Sequence, residues 1–109
     1  MKELKSLEEF NAIIAKQAAV LAYFSHQKCN VCKVLKPKIE SLMNAKFPKI
    51  ETVYCDTENT PDIAASLSIF AVPTIVIWFE GKETYRFSRN LGLQELNDAL
   101  NRPYSLFFD

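Results

Sequence analysis

The chain has 109 residues, 49% of them apolar and 24% charged, with thirteen basic side chains against thirteen acidic ones. That length makes one domain, residues 1–109, able to bury roughly two-thirds of its unfolded surface without metals or disulfide staples. The zero net charge argues against nucleic acid or an anionic membrane as the main partner.

No apolar run approaches the ~20 residues of a membrane span. Three cysteines are an odd number for a disulfide framework. The charged opening, Met1 to Glu9, lacks the apolar stretch of a signal peptide. The expectation is a monomeric, cytoplasmic protein whose cysteines are kept mostly reduced.

In chain order, Ser6 with Glu9 three residues on reads as a capping box. Leu7, Phe10, Ile13 and Ile14 then recur at helical spacing through Lys16. Ala18 to Phe24 is an apolar run of strand length, suited to a sheet covered on both faces. Ser25 to Lys28 turns into a second helix expected to send Val31, Val34, Leu35, Ile39, Leu42 and Met43 inward, with a bend at Pro37. Ile50 to Cys55 reads as a second central strand. Asp56 to Thr60 is a turn, and Thr60-Pro61 reads as an N-cap with proline at the first helical position, before a short helix from Asp62 to Leu67. Ile75 to Phe79 is strongly β-forming, and Glu80 to Glu83 turns it into Thr84 to Phe87 as a hairpin. Gly92 breaks the chain before a last helix, Leu93 to about Leu100. The order α-β-α-β-α-β-β-α implies an α/β fold, a central mixed β-sheet flanked by helices on both faces.

The chemistry concentrates at Lys28-Cys29-Asn30-Val31-Cys32-Lys33. A strand that stops and feeds a helix puts Cys29 at the helix mouth and Cys32 one turn inside. The first amide N–H groups there have no intrahelical partner, and the helix dipole leaves partial positive charge. Both favour thiolate, the reactive form of cysteine. Lys28 and Lys33 add positive charge, with no acid within four residues, so the Cys29 pKa is expected below the ~8.5 of free cysteine. Metal binding is the weaker reading. Zinc wants four ligands, and the chain offers this pair, His26 and the distant Cys55. No metal and no cofactor beyond the Cys29–Cys32 dithiol are expected. His26 reads as a solvated turn residue and Cys55 as a buried small hydrophobe. The tail Phe107-Phe108 either docks on the core or forms a partner patch.

With these features, the chain resembles the thioredoxin family over essentially its whole length. The resemblance rests on the Val20–Phe24 strand, Cys29-Asn30-Val31-Cys32, Pro37, Asp56 ending a strand, Val72-Pro73-Thr74, Gly81 after the Ile75–Phe79 strand, and Leu91-Gly92-Leu93. It implies a thioredoxin fold with a cis bond at Val72-Pro73 beside Cys29, and a substrate rim of Phe70, Ala71, Val72, Leu91 and Gly92. It implies protein-disulfide reduction: Cys29 attacks a substrate disulfide and Cys32 resolves the mixed disulfide. The partners implied are protein disulfides and a thioredoxin-reductase-like or other dithiol electron donor. Three departures bear on the chemistry. Lys28 stands where relatives carry Trp, Asn30-Val31 replaces Gly-Pro, and Tyr23 replaces a buried acid thought to deprotonate the resolving thiol, with Thr52 in place of a nearby lysine. These leave Lys28, Asn30, Val31 and Lys33 as tuning positions. Two other readings stay open: a non-catalytic adaptor using the cis-proline groove, and a dedicated redox partner of a single client.

Overall fold

The computed structural model describes residues 1–88 and 92–108. In chain order it contains β1 (Lys2–Glu3), α1 (Leu7–Lys16), β2 (Ala19–Ser25), α2 (Asn30–Lys46), β3 (Glu51–Asp56), α3 (Pro61–Ser66), β4 (Thr74–Phe79), β5 (Lys82–Ser88) and α4 (Leu93–Phe108). The strands form one five-stranded sheet in the order β1-β3-β2-β4-β5. β1 and β2 lie parallel to β3, whereas β4 runs antiparallel to both β2 and β5.

The apolar run of β2 explains its central position. Every residue from Ala19 to Ser25 is buried, and successive side chains alternate between faces. Ala19, Leu21 and Tyr23 join Ile39 and Met43 of α2 and Leu96 and Leu100 of α4 in one core cluster. Val20, Ala22 and Phe24 join Phe10 of α1 and Ile63 of α3 in the other. The mixed sheet covered on both faces, expected from the order of elements, is therefore present.

Four local differences from the sequence expectations have physical reasons. The two-residue strand β1, paired as Lys2↔Val53 and Glu3↔Tyr54, is too short to show a period of its own. Val31 and Val34 do not face inward: the buried residues of α2 are Cys32, Ile39 and Met43, with Leu35 and Leu42 packed beside them. That stripe follows the 3.6-residue period from Cys32, and the two valines lie just off it. Thr60 holds the expected N-cap position of α3 but makes no side-chain cap bond; its hydroxyl donates instead to the Asp56 carbonyl at 3.1 Å. Finally, α4 continues through Pro103 to Phe108, because its last turns are held by aromatic contacts. Phe107 stacks on Phe79 at 5.0 Å and Tyr104 meets Phe47 edge-on at 5.2 Å. The tail docks.

The hairpin turn consists of Glu80 and Gly81, both with positive φ (53° and 80°), as a two-residue turn of this hand requires. At α1, Ser6 Oγ accepts the Glu9 N–H at 3.1 Å, the first half of the expected capping box. The reciprocal half is displaced by one residue, since Glu9 Oε1 accepts the Lys5 N–H rather than that of Ser6. That bond leads the causes that lower the Glu9 pKa, ahead of the Lys2 side chain. Ser6→Ala should lower stability by about 1 kcal/mol. A urea midpoint unchanged from that of the parent chain would contradict this.

Candidate functional site

The site lies at the edge of the sheet where β2 ends. Ser25 and Asp56 close the parallel β2–β3 pair, and Phe24↔Thr74 is the last pair between β2 and β4. That register brings the segment before β4, Phe70 to Pro73, to the same edge as the chain leaving β2. The Cys29 N–H donates to the His26 carbonyl at 3.2 Å, closing the turn that delivers the chain into α2.

Cys29 is the N-cap of α2. Its Sγ accepts the Cys32 N–H at 3.2 Å, and its carbonyl accepts the Lys33 N–H at 3.2 Å. Cys29 is half-buried and Cys32 fully buried, and the two form a disulfide with Cα atoms 5.3 Å apart. The less buried cysteine is thus the one whose sulfur collects a helix N-terminal amide. In the reduced pair the same donor and the dipole of α2 would stabilise charge on Cys29.

Below the pair the surroundings are apolar. Cys32 belongs to the cluster of Leu21, Tyr23, Ile39 and Ile75. The Tyr23 hydroxyl donates to the Cys32 carbonyl at 2.7 Å. Burial first, and the neighbouring Tyr54 second, raise the Tyr23 pKa far above that of a free phenol. Burial also raises Tyr54, opposed by the bond it receives from Ser25 Oγ at 2.8 Å. Among the described residues the only buried acid is Asp56. Its Oδ1 is occupied by the N–H groups of Glu58 and Asn59 at 2.9 and 3.1 Å, so it caps the turn after β3.

The Val72–Pro73 bond is cis. Pro73 is buried, Ala71 and Val72 are half-buried, and Thr74 Oγ1 donates to the Ala71 carbonyl at 2.6 Å, pinning the loop. Gly92 is exposed, and its carbonyl accepts the Leu96 N–H at 3.1 Å at the start of α4. Leu91 lies outside the described residues.

Two neighbours differ from their sequence readings. His26 is half-buried rather than fully solvated. It lines a cleft of about 140 Å³ with Thr57, Ile69, Phe70, Ala71 and Val72, and its Nδ1 is buried without a partner among the described residues. Lys28, which has no acid near it in sequence, is 3.8 Å from Glu58 in space. Both groups are largely solvated, so the pair is weak. Asn30, Val31 and Lys33 are all exposed on the first turns of α2. Cys55 is buried and unpaired, and burial pushes its thiol up to about 12, which keeps it protonated and inert.

The thioredoxin family model matches residues 2–102. The chain belongs to the thioredoxin family. Thioredoxin of Chlamydia trachomatis is 30% identical over 100 residues, covering 92% of this chain and 93% of that protein. Thioredoxin-like protein YdfQ of Bacillus subtilis is 26% identical over 107 residues, covering 98% and 95%. The X-ray structure of Fasciola hepatica thioredoxin superimposes with a TM-score of 0.84 at 29% identity, covering 94% of this chain and 98% of that one. A thioredoxin-family chain with a Cys-x-x-Cys pair at disulfide distance is a thiol–disulfide oxidoreductase in its general class. No helix among the described residues is long and apolar enough to cross a membrane.

Proposed function

We propose that this chain is a protein-disulfide reductase. The observation that carries the reading is the asymmetry of the pair: Cys29 is half-exposed at the helix cap, and Cys32 is buried behind it. In the reduced chain the Cys29 thiolate attacks one sulfur of a client disulfide, forming a Cys29–client bond and releasing the other client sulfur as a thiol. Cys32 then loses its proton and attacks Cys29 Sγ. The Cys29–Cys32 bond forms, the second client thiol leaves, and two electrons have passed to the client. A dithiol donor of the thioredoxin-reductase kind returns the pair to the reduced state, as a reducing compartment such as the cytoplasm allows. The cis-proline segment Ala71–Pro73 would take an extended client strand alongside Cys29, with Gly92 on the opposite rim.

The decisive experiment is Cys32→Ser in a cell extract. With attack intact and resolution removed, proteins should accumulate on Cys29 as mixed disulfides released by dithiothreitol. Many captured chains support a general reductase, and one dominant chain supports a dedicated partner. Absence of capture, together with no reduction of a small disulfide by the parent chain, would leave only an adaptor role.

A further inference from the structure

The first turns of α2 carry an apolar surface that packing does not explain. Val31 and Val34 are 65% and 60% exposed. β-Branched residues are indifferent helix formers, so at solvated positions they favour neither the helix nor the core. With Asn30, Leu35 and Lys38 they line a groove of about 410 Å³. The groove begins at the residue after Cys29 and ends at a cation.

The stretch of chain that forms it carries charge of one sign. Residues 25 to 39 contain four lysines and no Asp or Glu. Lys28 is bridged to Glu58, and Lys36 lies over the Tyr54 ring, 4.6 Å from its centroid. Among the described residues Lys33 and Lys38 have no acidic partner. A second copy of the chain is a poor occupant, because an isologous pairing would bring the same acid-free stretch and offer no carboxylate to Lys33 or Lys38. An acidic partner suits the groove.

We propose that this groove selects the clients of the reductase, taking a segment with an apolar side chain over Val31 and Val34 and a carboxylate at Lys38. The inference rests on the disulfide-reductase reading and specifies its substrate class. Lys38 lies nine residues beyond Cys29, about 13 Å along a helix. An extended peptide covers that distance in about four residues. The preferred client therefore carries Asp or Glu about four positions from its reactive cysteine, with an apolar residue between.

The test uses peptides with one cysteine, capped as a mixed disulfide by 2-mercaptoethanol, with Glu, Gln or Lys four residues away. Reduction of the Glu peptide should exceed that of the Lys peptide by about fivefold at low salt. Lys38→Glu should reverse that order while leaving reduction of neutral 2-hydroxyethyl disulfide unchanged. Equal rates for the three peptides, or a preference that survives Lys38→Glu, would overturn the proposal. Failure to reduce 2-hydroxyethyl disulfide would instead remove the reductase reading. Binding of the same peptides with serine for cysteine then decides the groove alone: tighter binding of the Glu peptide supports it, and equal binding overturns it. A dimer by light scattering that Val34→Glu dissolves would assign the groove to a second copy and also overturn it.

Discussion

Unfolding by urea is expected to become easier by several kcal/mol as the pH is raised from about 8 to about 11. Three buried groups keep their protons in the fold: Cys55, pushed up to about 12, and Tyr23 and Tyr54, both raised, all mainly by burial. In the unfolded chain the thiol titrates near ~8.5 and the phenols near ~10. Above those values the unfolded chain has released protons that the folded chain still holds, so stability falls with rising pH. Below about 8.5 the contribution is present in full, and it is lost as the pH climbs towards the folded values. Cys55 alone contributes a slope approaching ~1.4 kcal/mol per pH unit above its unfolded value, with the tyrosines adding to it from about pH 10. The measurement is the urea midpoint at pH 8, 9, 10 and 11 with Cys29–Cys32 kept oxidised, so that neither of those sulfurs titrates. Cys55→Ala should remove the decline between pH 9 and 10 and leave the later one. A midpoint that stays level up to pH 10.5 would show that these groups are solvated.

The parts legible in advance were those where burial writes itself into composition. β2 and β4 are buried at every position because helices cover both faces, so the unbroken apolar runs Ala19–Phe24 and Ile75–Phe79 within them identified each strand. The Cys29–Cys32 spacing across a strand-to-helix junction located the redox pair, since a helix cap is a local feature. What failed was long-range. The contact of Lys28 with Glu58 joins residues far apart in sequence. His26 is half-buried in a cleft it shares with the segment Ile69–Val72, which nothing near it in the chain announces. On α2 the pattern admitted two faces offset by one residue, and only docking on Ile75 and Leu96 selects the one containing Cys32. The end of α4 depended in the same way on Phe79 being available to stack on Phe107.

The second large effect concerns the lifetime of the Cys29–client bond. Resolution needs Cys32 to lose a proton, and among the described residues no buried acid or phenol stands ready to take it. The Tyr23 hydroxyl is committed as a donor to the Cys32 carbonyl, and its raised pKa leaves it neutral at any physiological pH. Asp56, the only buried acid among the described residues, is occupied by two backbone amides. The proton must therefore leave to water or hydroxide. For a thiol in an apolar cluster the thiolate fraction then grows about tenfold per pH unit, with no plateau near neutrality. Between pH 6 and 8 resolution should quicken by about a hundredfold. Stopped-flow release of thionitrobenzoate from a Cys29–thionitrobenzoate adduct measures this step alone, apart from the initial attack. Tyr23→Phe should keep the same slope, because the lost hydroxyl was never the base. A rate that levels off near pH 7, or a Tyr23→Phe chain whose resolution slows and loses its pH dependence, would show that the phenol or a group behind it carries the proton.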